Sequence, residues 1–253
     1  MIMLARLSLF PIALLQFSIP ILPQLGLGQD IGTRALKDGI PPELPPGIFF
    51  AIWGMIFLAY LVYAVKAVIR PNHLSDALAL PLALAGTGNV VWMIAAQMVG
   101  SVTLNALILG PLLASAWWAA WILDRAGGFN QTANRLVLCL LVGLLSGWLT
   151  VAVGISLPPV LRALMDFQPT DHVWLSFWTV MLPAAGLAVG FSQFVSRSLW
   201  YFVALVWGLS GIVVNTWFRL ELHALSIAGT AMIILILVIR GRYPSRTTRP
   251  KLS

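Results

Sequence analysis

Acidic side chains are scarce in this chain. There are 8 Asp and Glu among 253 residues, charged residues of all kinds make up 9%, and no Asp or Glu falls in the middle of a long apolar run. A carboxylate inside a bilayer is costly and marks an ion or proton path where one exists. Its absence argues against a proton- or sodium-coupled transporter and removes paired-carboxylate catalysis. Cysteine is nearly missing as well. Cys139 stands alone, which excludes an intramolecular disulfide and Cys-rich zinc or iron–sulfur centres. The 3 histidines, His73, His172 and His223, are far apart, with no HxxxH or HExxH spacing, so a His-based metal site has no support. No His lies in mid-span to serve as a base for Cys139 or a serine, so nucleophilic catalysis lacks its partner. An enzyme is the least supported class. Gly86-Thr87-Gly88 has no phosphate-loop context.

What the chain has is apolar surface. It is 60% hydrophobic with a mean hydropathy of +0.93, whereas a soluble domain is about 45–50% apolar and about 25% charged. There is too little polar surface to cover such a core in water. The formal charge of +7 therefore reads as basic loops of a polytopic membrane protein, not as a nucleic-acid surface.

The uncharged runs set the number of spans, at about 20 apolar residues each. Ala77 to Leu123 holds no Asp, Glu, Lys, Arg or His over 47 residues. As one helix it would be about 70 Å long, so it must be two spans with a turn near Gly100-Ser101. With the other runs this gives an all-α bundle of eight spans, near residues 3–23, 47–69, 78–98, 102–123, 135–156, 174–195, 199–218 and 222–240. The first run has no small-x-small site before Gln29 and reads as a span, not a cleaved leader.

Eight spans put both termini on one side. That side collects 11 of the basic residues, against 4 (Arg34, Lys37, Arg162, Arg219) opposite. The bias predicts cytoplasmic termini, and one span more or fewer would scramble it. Two outer loops are long, from about Pro23 to Pro46 and from about Pro158 to His172, the length of lids or binding loops. The organisation expected is a five-helix part over 1–157, three further helices over 158–240 and a basic tail over 241–253 that rests on anionic headgroups. The spacings Gly143–Gly147 and Gly186–Gly190 permit close helix approach, within the chain or in a homo-oligomer.

Aromatic residues are the second excess, with 11 Trp, 12 Phe and 4 Tyr. Pro45-Pro46-Gly47 opens the second span, where proline suits the first helical turn. Trp53, Phe57 and Tyr60 follow at i, i+4 and i+7 on one face. Asn89 and Trp92 share a face of the third span, and Trp148 lies in the outer half of the fifth. Indoles on adjacent helices make a flat apolar slot with a few N–H donors, suited to a planar ring. Packing and interfacial anchoring is the alternative reading of each Trp, and interhelical bonding that of Asn89, Gln97, Asn105, Thr150, Gln193, Asn215 and Thr216.

Three segments, in order, resemble a known family. Pro45-Pro46-Gly47-x-x-Phe50-x-x-Trp53, Asn89-x-x-Trp92 and Trp148-x-Thr150-Val151-Ala152 look like the TspO/translocator-protein family, the tryptophan-rich sensory proteins. The agreement covers about residues 1–157. The rest, with Trp178-Thr179 and Tyr201…Trp207, is similar to the longer, eight-span bacterial members. Glu43-Leu44 stands where other members often carry a Trp, and Ser156 where an Asn is common. The resemblance implies a helical bundle in a bacterial inner membrane, with a pocket beneath the first long loop. It implies a porphyrin or other tetrapyrrole as ligand and a sensory, regulatory or ligand-handling role. By the same resemblance Pro45, Pro46, Gly47, Phe50 and Trp53 form the pocket entrance and wall, with Phe57 on the same face. Asn89 is a polar contact, and Trp92 and Trp148 are ring-facing walls. No metal or other cofactor is expected. Two readings of other classes stand beside this one: an assembly subunit of a larger membrane complex, docking through its three C-terminal helices, and a small-solute facilitator.

Overall fold

The computed structural model of the chain describes residues 2–127 and 135–242. Within them are eight helices long and apolar enough to cross a membrane. They are α1 (Met3–Leu25), α2 (Gly47–Ile69), α3 (His73–Val99), α4 (Val102–Arg125), α5 (Leu136–Met165), α6 (Val173–Val195), α7 (Leu199–Arg219) and α8 (His223–Arg242). Each coincides with a span expected from hydropathy. The tail expected over 241–253 lies outside the described residues from 243 onward.

Helix α5 is the axis of the bundle. Residues 141–151 are buried at every position, as a helix apolar on all sides requires. It packs against α2, α4, α6 and α7, while α1 lies against α2 and α3, and α8 against α6 and α7. Small residues set the α5–α7 seam. A Cβ added at Gly147 would lie 2.1 Å from the Tyr201 carbonyl oxygen, and one at Gly143 would lie 2.4 Å from the Trp200 Cβ. The first of the two glycine pairs is thus used inside the chain, where only glycine lets the backbones approach. Gly186 and Gly190 face open space. The same seam carries a buried relay in which the Tyr201 hydroxyl donates to Thr150 Oγ1 at 3.1 Å and Thr150 to the Ser146 carbonyl at 2.9 Å.

Contacts at the two ends of the bundle agree with the alternation of spans. At the end holding the termini, Arg6 pairs with Asp76 at 2.5 Å and the Ser196 hydroxyl donates to Asp124 at 2.8 Å. The α3–α4 turn falls at Gly100, whose φ of +70° suits glycine. Ser101 then caps α4 by accepting from the Leu104 N–H at 3.3 Å.

One boundary differs from expectation. The second outer loop does not begin at Pro158, because α5 runs through Pro158 and Pro159 to Met165. The break between a five-helix part and the rest, placed at 157/158, therefore falls inside a continuous helix. Two prolines in sequence deprive the carbonyls of Gly154 and Ile155 of their helical donors. Prolines are tolerated in membrane helices where neighbouring structure re-satisfies the backbone.

Candidate aromatic site and its strap

The connection from α1 to α2 crosses the end of the bundle opposite the termini as a strap held at both sides. On one side it grips the C-terminal turn of α3. The Arg34 guanidinium donates to the Gln97 carbonyl at 3.0 Å, and the Gln29 N–H donates to the same oxygen at 3.0 Å. That carbonyl lies in a π-helical turn, Ala95–Val99, where the wider winding interrupts the α-helical bonding ladder. Arg34 also lies across Gly100, where an added Cβ would fall within 1.7 Å of a guanidinium nitrogen.

On the other side the strap is fixed to α5 and α7. Glu43 is buried to 1% exposure and pairs with Arg162 at 2.5 Å. Asn215 is buried and donates to the carbonyls of Pro41 and Pro42 at 2.9 and 3.3 Å. It too belongs to a π-turn, Asn215–Arg219. Pro45 and Phe49 pack on Gly211, where an added Cβ would lie 2.7 Å from the Pro45 Cβ. The Trp207 Nε1–H donates to the Phe49 carbonyl at 2.8 Å. Helices α5 and α7 thus anchor the loop that leads into α2.

Past the strap, the aromatic residues converge. The Trp53 ring lies 6.2 Å from Trp92 at 27°, nearly parallel, and 6.2 Å from Trp148 at 83°, edge to face. Phe50 meets Trp148 edge-on at 5.5 Å, and Phe57 lies against Trp53 at 5.3 Å. Phe17 of α1 closes on Phe57 at 5.8 Å. Helices α2, α3 and α5 therefore bring Phe50, Trp53, Phe57, Trp92 and Trp148 into one cluster. The other residues from the same motifs lie around it. Pro45 is buried against α7, Pro46 precedes the 3-10 turn Gly47–Ala51, and Gly47 is exposed. Asn89, one turn before Trp92, is buried and donates through Nδ2 to Gln16 Oε1 at 3.3 Å.

The polar atoms of the cluster are under-used. The Nε1–H groups of Trp92 and Trp148, Asn89 Oδ1 and Gln16 Nε2 are all buried without a hydrogen-bond partner. A buried polar group left unpaired costs about 1–3 kcal/mol, which a ligand with acceptor atoms at its edge would recover for the two indoles and Gln16, and one with a donor for Asn89 Oδ1. Tyr60 is not part of this set. Its hydroxyl donates to the Leu82 carbonyl at 2.8 Å, and Gly86 lets it approach.

Sequence reasoning missed Gln16, Arg34, Glu43 and Arg162 as parts of this region. Gln16 could have been found as the one amide inside the first expected span, residues 3–23. The other three looked like ordinary loop charges.

Among the described residues no cluster of His, Cys, Asp or Glu is able to hold a metal ion. The fold and cluster define a class: a polytopic helical membrane protein with a strapped aromatic site between its helices. The model of the TSPO-like protein family matches residues 21–240, and the chain belongs to that family. No curated protein and no solved structure matches it.

Proposed function

We propose that the chain binds a flat hydrophobic ligand, a porphyrin or similar tetrapyrrole, at the Trp53–Trp92–Trp148 cluster, in a sensory or ligand-handling role. The carrying observation is the convergence of three indoles from three helices with two of their N–H groups buried and unpaired. An unpaired indole alone is not distinctive, since Trp117 and Trp200 share that state. Ring faces and free donors in one place favour a planar ligand with polar edge atoms. Inserting a ring between Trp53 and Trp92 requires their separation to grow from 6.2 Å to about 7 Å, twice a van der Waals ring contact. The strap held by Arg34 and Glu43 governs access. The cluster contains no acid–base pair, which favours binding over chemistry.

The basic-residue bias supports cytoplasmic termini, and the family resemblance supports a bacterial inner membrane. Titration of protoporphyrin into the purified protein, read by tryptophan quenching, tests the binding reading. Wild type is expected to saturate and Trp53→Ala/Trp148→Ala to bind at least tenfold more weakly. Equal, weak binding by both would refute it.

A further inference from the structure

A second site shares no lining residue with the indole cluster. A groove of about 430 Å³ runs between α2, α7 and α8, lined by Ile52, Met55, Val203, Trp207, Leu237 and neighbouring apolar residues, with Ser210 and Arg240 its only other polar members. The volume falls within the range of about 300–1,000 Å³ seen for small-molecule sites. Its length along α7, from Leu199 to Ser210, is about 16 Å at 1.5 Å per residue. That is half of a hydrocarbon core of about 30 Å, or one leaflet. Its only charge sits at the membrane-surface end, on the side of the chain termini.

Among the described residues that charge has no carboxylate partner. The half-buried Arg240 guanidinium lies over the Phe202 ring at 4.8 Å, and the pairs Arg6–Asp76 and Arg162–Glu43 do not involve it. All 8 Asp and Glu lie within the described residues. The two at this end of the bundle, Asp76 and Asp124, are held by Arg6 and Ser196.

We propose that this groove binds one anionic glycerophospholipid of the adjacent leaflet, an acyl chain along α7 and the phosphate against Arg240. Charge and length carry the assignment together: a leaflet-long apolar trough ends on an unmatched cation. This site is independent of the aromatic cluster.

Native mass spectrometry of the full chain, titrated with phosphatidylglycerol or phosphatidylcholine, tests it. Wild type is expected to retain one phosphatidylglycerol in preference to phosphatidylcholine. Arg240→Gln should weaken that binding about fivefold, the attraction of one basic side chain to anionic lipid, while Arg242→Gln, on the exposed last turn, leaves it unchanged. Val203→Trp, which fills the trough without altering charge, should weaken both lipids. Unchanged melting temperatures without added lipid would confirm that the variants fold, and a variant that melts early is replaced by Arg240→Met or Val203→Phe. Equal loss in both arginine variants would show diffuse surface attraction and overturn the proposal. So would no effect of Val203→Trp, or a chain dimer that Val203→Trp dissociates.

Discussion

Trp148 of α5 and Trp53 of α2 meet as a T-shaped pair, ring centroids 6.2 Å apart at 83°, with the Trp148 N–H buried and unpaired. The two residues are 95 positions apart in sequence, so their meeting follows from the packing of α2 on α5. An edge-to-face pair contributes about 0.5–1.5 kcal/mol beyond its buried area. Trp148→Phe keeps a ring in place but deletes the donor. It is expected to weaken protoporphyrin binding about tenfold, the worth of one buried hydrogen bond, with little change in melting temperature. A calorimetric or quenching titration in detergent measures it, and unchanged affinity would show that the indole N–H is not used.

The Glu43–Arg162 pair is almost withdrawn from solvent, with side-chain exposures of 2% and 12%. Removing one member of a buried pair strands the other, at a cost of about 3–5 kcal/mol. Glu43→Gln should therefore lower the thermal midpoint clearly. Glu43→Leu/Arg162→Met, which removes both charges, should be milder than either single change. A double-mutant cycle of melting midpoints checks this, and simple additivity would contradict the pairing.

The α5–α7 seam predicts a contrast between two glycine pairs. Gly147→Ala places a methyl against the Tyr201 backbone oxygen, and overpacking of this kind costs about 1–3 kcal/mol. Gly186→Ala meets open space and should be neutral or slightly stabilising. Melting of the two variants side by side decides it.

The strap should loosen from its α3 side when Arg34 is truncated. Arg34→Ala deletes the bond to the Gln97 carbonyl, and amide exchange over residues 26–46 is expected to rise while α5 stays protected. Uniform exchange across the chain in both proteins would contradict a local clamp.

The eight spans were legible because hydropathy and charge alternation act over some 20 residues at a time. The turn at Gly100 was legible because a run twice the bilayer thickness must fold back. The end of α5 was not, because Pro158-Pro159 reads as a break in water, while a packed membrane helix tolerates it. Within the site, the motif spacing placed Trp53, Asn89, Trp92 and Trp148 on the right helices. Gln16 and Glu43 escaped because their significance lies in partners 73 and 119 residues away. Two π-turns, at Gln97 and Asn215, hold the strap, and no residue pattern announced them.

The central claim is that the buried indole donors of Trp92 and Trp148 receive the ligand. The direct measurement is NMR of ¹⁵N-indole-labelled protein during titration with protoporphyrin. The account predicts that the Nε1–H resonances of Trp92 and Trp148 move together and saturably, while those of the exposed Trp174 and Trp217 do not. Shifts confined to the exposed indoles, with Trp92 and Trp148 unmoved, would contradict it.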